Sequence, residues 1–416
     1  MLIGLCLVVV LVDCSTDERN EVETVLTDET EITTTRTMTQ DDFVDAGNDF
    51  AFNLLRTVDS KRMKNTSFVL SPLSVAFAMG LLNEGATGET SQQIIAMLGY
   101  DGTGTQAIND YCATMLHQLP LLDDSVDIGI ANGVFLNQPI KLRRSYLEAA
   151  EHYFAAQVET LDFGSAESLN HINTWCRERT QGMIPQVLNN LEGLCYFINT
   201  IYFKANWTNE FNPAETQTTW FLDSNFKQPI TEVPFMTSNM TVPYAEMKDY
   251  QAIRLPFGNG KFCMYILLPV VGLSPSHLMN QLSAKQMKGL NNKIKEQNVI
   301  VKIPRFKTVT HTELNDVLST LGVKRIFNKS AQLGRIVENY NDGDISVDHV
   351  FQDAAIEVEE NGAKAAAVTI LNMTEDPFDD SSTEMPIVFY ANRPFLYIIT
   401  DNTTGSIYFT GTFSGV

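Results

Sequence analysis

The sequence predicts an α+β fold in one large folded body, and three observations carry that reading. Of 416 residues, 44% are hydrophobic and 19% charged, which is enough apolar chain to bury a large core. Helix-spaced stretches (165–179, 276–288, 312–321) alternate with strand-like runs (196–203, 262–268, 299–303) without a regular strand–helix–strand beat, which argues against a doubly wound parallel sheet. The C-terminal stretch FLYIITDNTTGSIYFTGTF reads as two apolar strands around a turn at 402–405, a β-hairpin.

The elements follow in chain order. Residues 2–12 are an unbroken apolar run, too short to span a bilayer, and read as the core of a cleaved secretion signal over 1–15. No Lys or Arg precedes Arg19, so a buried hydrophobic N-terminus stays open as the alternative. Residues 16–40 are rich in Thr, Glu and Asp with almost nothing apolar to bury, which predicts a disordered tail. The folded body spans 41–416. Phe43, Ala46, Phe50, Leu54 and Leu55 recur at helical spacing and give an amphipathic first helix. A short apolar strand at 67–70 precedes a helix that Ser71 caps, Pro72 opens and Gly85 stops. That helix is apolar on nearly every side and is expected inside the core.

Composition excludes several kinds of function. A net charge of −21 repels phosphate backbones, anionic headgroups and polyanionic sugars, so neither nucleic acid nor a membrane surface is an expected partner. Of six cysteines, Cys6 leaves with the signal. Cys112, Cys176, Cys195 and Cys263 are scattered singly, without CxxC or Cys/His ligand spacing, so neither a metal site nor a disulfide scaffold is expected. Sequons at Asn65, Asn239, Asn328, Asn372 and Asn402 are candidate glycosylation sites, whereas Asn206 abuts Trp207 in an apolar stretch and is not. GxSxG, HExxH, GxGxxG and GxxxxGK[ST] are all absent and the six histidines are dispersed, so no catalytic residue is assigned, no cofactor is expected, and the chain is not read as an enzyme.

The stretch AAIEVEENGAKAAAVTILNMTEDPFDDSSTEMP (354–386) is the most unusual in the chain. It begins as a strand with Ile356 and Val358 on one face and Glu357 and Glu359 on the other. Gly362 then opens a run of small residues. Ala363, Ala365, Ala367 and Thr369 share one parity, and Lys364, Ala366, Val368 and Ile370 the other. As a strand, the first set would pack against a core while Lys364 faced solvent. An Ala-rich helix is the competing reading, because Ala363–Ala367 has high helix propensity. Residues 372–384 are polar and acidic, a loop composition.

The segment EENGAKAAAVT resembles the hinge of the serpins, the serine protease inhibitors. Six further blocks resemble that family in the same order: NTSFVLSPLSVAFAMGLLNEGATGET, INTWCRERTQGMI, FINTIYFKANW, LPFGNGKFCMYILLP, IPRFKTVTHTELNDVLSTLGVKRIF and FYANRPFLYII. The resemblance spans 41–416. It implies three β-sheets, about nine helices and a metastable state with an exposed reactive-centre loop at about 360–386. A monomeric, secreted suicide substrate is implied, whose cut loop inserts into the central sheet and traps the protease as an acyl-enzyme. Glu360, Gly362, Ala363, Ala365, Ala367 and Thr369 become the hinge. Trp207 falls at the mouth where the loop enters the sheet, and Ser71, Ser74 and Asn199 beneath the strands that must part. Where the family usually carries His-Lys, this chain has Gln352-Asp353; Gln352 can hydrogen-bond but cannot gain a charge at low pH. A serpin-fold carrier or chaperone, whose loop never inserts, is the alternative. The region 108–122, where the family's second-helix cofactor site would fall, carries no Lys or Arg, so a heparin-type cofactor is not expected.

The scissile bond stays open. Counted forward from Glu360 the attacked residue is Asp376, before Pro377; counted back from Pro394 it falls near Thr383. Phe378 is a chemical alternative, since a bond to Pro is a poor substrate. Between Lys364 and Arg393 there is no Lys or Arg, so the target is not expected to be trypsin-like, whose pocket sets a carboxylate opposite a basic side chain.

Overall fold

The structure, a computed structural model, describes residues 22–26, 32–360 and 385–415. The signal segment 1–15, the hinge positions from Gly362 to Thr369, the scissile candidates Asp376, Pro377, Phe378 and Thr383, and the Asn372 sequon lie outside the described residues. Among the described residues there are nine α-helices and sixteen strands in three sheets, an α+β architecture. Within the stretch expected as a disordered tail, Val22–Leu26 and Ile32–Arg36 pair antiparallel as a separate two-stranded hairpin.

Helix Gln40–Lys61 starts where Thr39 and Asp42 cap each other reciprocally, a local signal that fixes the beginning of the folded body. Ser71 caps helix Pro72–Gly85 by accepting from the Ser74 amide, and that helix is buried on nearly every side. Gly85 is the last helical residue rather than the stop, which is the turn to extended backbone at Ala86; glycine is needed there because a Cβ would lie 2.2 Å from Ile336 Cγ1. The expected helix at 276–288 is two helices, Pro275–Gln281 and Ala284–Asn291. Leu282 is extended between them, and Ser283 caps the second. The expected helix at 312–321 shrinks to Asn315–Thr320, because Phe306–Glu313 continues as a strand whose alternation of buried and exposed residues outweighs local propensity.

The nine-stranded sheet runs in the order Ile387–Tyr390, Lys295–Pro304, Pro229–Glu246, Tyr250–Phe257, Phe262–Pro269, Phe395–Asp401, Ile407–Phe413 and Phe68–Leu70, with Gln217–Leu222 added beside Pro229–Glu246. It contains the predicted C-terminal hairpin, Phe395–Asp401 against Ile407–Phe413. The five-stranded sheet runs Phe306–Glu313, His349–Val358, Cys195–Ala205, Val126–Asn137, Gln157–Leu161. Its two faces pack against separate apolar clusters. One is the main core, which the nine-stranded sheet and helix Pro72–Gly85 share. The other lies under helix Ala166–Arg179, with Ile172, Trp175 and Cys176 over Phe135, Tyr196, Phe351 and Ala355. A sheet covered on both sides needs apolar residues at both parities, which is why Cys195–Ala205 is buried at every position except Lys204.

Candidate functional site

The strands His349–Val358 and Cys195–Ala205 are neighbours and run parallel, in register from His349 opposite Tyr196 to Glu357 opposite Lys204. Both leave the sheet at the same end. Beyond Val358 the chain passes through Glu359 and Glu360 toward 361–384, and beyond Ala205 it reaches Trp207.

The exit is built from the ends of these strands. Trp207 is buried, stacked on Phe257 with ring centroids 4.3 Å apart, and its indole Nε1–H donates to the Glu359 carbonyl at 2.9 Å. The Phe211 amide donates to the Glu360 carbonyl at 3.2 Å. The Glu360 side chain is buried, accepting from Thr216 Oγ1 at 2.7 Å and facing Arg305 Nη1 at 3.4 Å. Lys204 Nζ lies 3.2 Å from Glu357 and 3.7 Å from Glu359, with Lys307 3.9 Å from Glu357. Burial opposes charge on both acids; a hydrogen bond from Glu359 and the two lysines nevertheless hold Glu357 below its ordinary value, while Glu359, beside that carboxylate, is raised.

Deeper in the same seam is a fully buried polar cluster. Gln352 grips Ser71 at two points, accepting from its amide at 3.0 Å and donating to its carbonyl at 2.9 Å, and donates again to Asn199 Oδ1 at 3.1 Å. Asn199 also accepts from Ser74 Oγ at 2.6 Å and donates to Asn132 Oδ1 at 2.9 Å. Ser71 Oγ donates to the Tyr408 carbonyl at 2.7 Å. Gln352 opposes Asn199 in register, and Asn199 opposes Asn132, so one row of amides crosses three strands. The structure thus brings Ser71, Ser74, Asn199 and Gln352 into one network, with Trp207 and Glu360 at the exit above it. The uncharged Gln352 makes three hydrogen bonds where a charged side chain would be buried without a counter-ion.

Sequence reasoning missed Asn132, Thr216, Arg305 and Phe211. Asn132 carries the one recoverable signal, a polar residue inside the buried run Ala131–Leu136. Asn65, Asn239, Asn328 and Asn402 are exposed and Asn206 is half-buried. Cys112, Cys176, Cys195 and Cys263 are unpaired and buried, and burial pushes the Cys263 thiol up to about 11, which leaves no reactive thiolate there near neutral pH. Among the described residues no cluster of His, Cys, Asp or Glu has the arrangement of a metal site.

A family model described as Serpin (serine protease inhibitor) matches residues 45–415. Serpin-Z7 of Hordeum vulgare is 30% identical over 364 residues, covering 83% of this chain and 89% of that protein. Serpin B3 of Homo sapiens is 30% identical over 397 residues, covering 89% and 98%. Among solved structures, the thermophilic serpin tengpin in its native state superposes with a TM-score of 0.80 at 24% identity, covering 92% of this chain and 96% of that one. Human thyroxine-binding globulin does so with a TM-score of 0.80 at 22% identity, covering 90% and 98%.

Proposed function

Since this chain belongs to the serpin family, we propose that it is a secreted, glycosylated, monomeric protease inhibitor that works once, as a suicide substrate. The target is a serine endopeptidase that is not trypsin-like, because no Lys or Arg stands between Lys364 and Arg393.

One observation carries the reading. Two parallel strands pair directly with each other in the middle of the sheet, and the loop departs from the end of one of them. A chain leaving Val358 and turning back between them would be antiparallel to both, replacing one parallel ladder with two antiparallel ones. Antiparallel pairing is the more stable per residue, so the arrangement holds a gain in reserve. The protease serine attacks a carbonyl within 374–386, the amine on its C-terminal side leaves, and the acyl ester remains on the upstream fragment. Glu360 and the hinge from Gly362 to Thr369 then enter the seam, carrying the protease along. Insertion outpaces hydrolysis of the ester, and the stored gain makes it irreversible.

The test is incubation with elastase-like, chymotrypsin-like and acid-preferring serine proteases, followed by denaturing gels and N-terminal sequencing of the released C-terminal fragment. A covalent complex, with a fragment that begins within 374–386, supports the proposal. Cleavage with neither a complex nor a gain in heat stability would sink it in favour of a serpin-fold carrier or chaperone. Secretion and glycan attachment at the five exposed or loop sequons are read from the medium and from the mass lost on amidase treatment.

A further inference from the structure

The outer face of the five-stranded sheet carries a second set of polar groups, separate from the buried amide row. The edge strand Phe306–Glu313 contributes His311 and Glu313, and its neighbour His349–Val358 contributes His349, Phe351 and Asp353. His311 Nδ1 lies 2.8 Å from Asp353 Oδ1, and His349 Nδ1 lies 2.7 Å from Glu313 Oε1. Each strand therefore gives one imidazole and one carboxylate to the other. The Phe351 ring sits against both imidazoles, 4.8 Å from His311 and 5.3 Å from His349 between centroids.

The two sides of His349–Val358 differ at Asp353. Toward the edge strand its carboxylate has His311. Toward Cys195–Ala205 its register partner is Thr200, and both Thr200 Oγ1 and Asp353 Oδ2 are buried without a hydrogen-bond partner. Asp353 is only 1% exposed, whereas the His311 side chain is 45% exposed and can exchange protons with solvent. The other titratable groups facing the pair are Glu313 on the edge strand, His349 and Tyr196 across Phe351, and the Cys176 thiol of helix Ala166–Arg179.

We infer that His311 and Asp353 are positioning residues that clip the edge strand to the loop-bearing strand as one body, and that the proton on His311 sets how readily this body parts from Cys195–Ala205. A buried carboxylate with one unpartnered oxygen is costly unless a charge stands beside it. With His311 protonated the charge is matched inside the closed sheet. With His311 neutral, Asp353 gains by meeting water or a new amide donor, which parting of the seam supplies. The hydrogen bond to Asp353 raises the His311 pKa against the opposing effect of burial, while burial raises that of Asp353 despite His311. The closed seam is thus favoured in full below the ordinary histidine value of 6.5 and loses that support as pH rises through the raised one. The consequence for inhibition, faster strand insertion on the alkaline side, rests on the proposed function; the clip itself does not.

Hydrogen–deuterium exchange of the whole chain tests it, read on peptides covering 195–205 and 349–358 between pH 5.5 and 8.5 and corrected for intrinsic exchange. Protection should fall about tenfold across that range as His311 loses its proton. His311→Gln should flatten the profile at the alkaline level, and Asp353→Asn should flatten it near the acid level. A wild-type profile in His311→Gln, or loss of protection at every pH in a folded Asp353→Asn protein, would overturn the inference whether or not any protease is trapped.

Discussion

Trp207 donates its indole N–H to the Glu359 carbonyl at 2.9 Å, so a side chain just beyond the end of one strand holds the backbone just beyond the end of its parallel neighbour. Trp207→Phe isolates that bond, because a phenyl ring keeps much of the stack on Phe257 and lacks the donor. The expected loss is about 1 kcal/mol in denaturant unfolding. Cleavage by thermolysin at the Gly362–Ala363 bond should rise several-fold, and an unchanged cleavage rate would show that the indole hydrogen bond does not hold the loop root.

Glu360 is the charged anchor at the same point. Its buried carboxylate meets Thr216 and Arg305, and Glu360→Lys sets a cation against the Arg305 guanidinium. The Arg305 side chain is 48% exposed, so screening limits the cost to about 1–3 kcal/mol. The reversed pair Glu360→Lys with Arg305→Glu should recover part of it in thermal melts. Equal melting of the single and double variants would mean that the ion pair contributes nothing.

How much of this was readable in the chain differs by element. The first two helices were legible, one from the spacing of Phe43, Ala46, Phe50, Leu54 and Leu55 and the other from Ser71 and Pro72, whereas the reciprocal Thr39–Asp42 cap emerges only in the structure. The C-terminal hairpin was legible from two apolar runs around a turn. The split at Leu282 and the strand that runs to Glu313 were not, since tertiary pairing decided them over propensity. Ser71, Ser74, Asn199, Gln352 and Trp207 came from resemblance, and the structure supplies what resemblance omits, namely the bonds among them. Arg305 and Thr216 are ordinary surface types in sequence; only the path of Glu360 gives them a role.

The buried amide row makes a different prediction from the exit. Asn199→Ala removes the acceptor for Ser74 Oγ and Gln352 Nε2 and the donor to Asn132, leaving three buried groups without that partner. Ser74→Ala removes one bond. The expected costs are about 3 and about 1 kcal/mol in the same denaturant titration. Asn199→Ala should also form oligomers on native gels at temperatures where the parent stays monomeric, since weakened strands part more easily. Equal costs for the two variants would argue against a connected network.

The hinge prediction concerns side-chain size. A strand that enters between His349–Val358 and Cys195–Ala205 meets a face already filled by Ala354, Ile356, Asn199, Ile201 and Phe203, all buried. Close packing leaves small residues as the ones that fit there, and Ala363, Ala365 and Ala367 share one parity, the one expected to face the core on insertion. Ala365→Arg should therefore leave cleavage by the target protease intact while the covalent complex disappears, because an ester that waits on slow insertion is hydrolysed first. Lys364→Ala, on the opposite parity, should leave complex formation near the parent level. Denaturing gels of both variants against one protease read the difference directly. Complex formation by Ala365→Arg at the parent yield would mean that this parity does not face the main core.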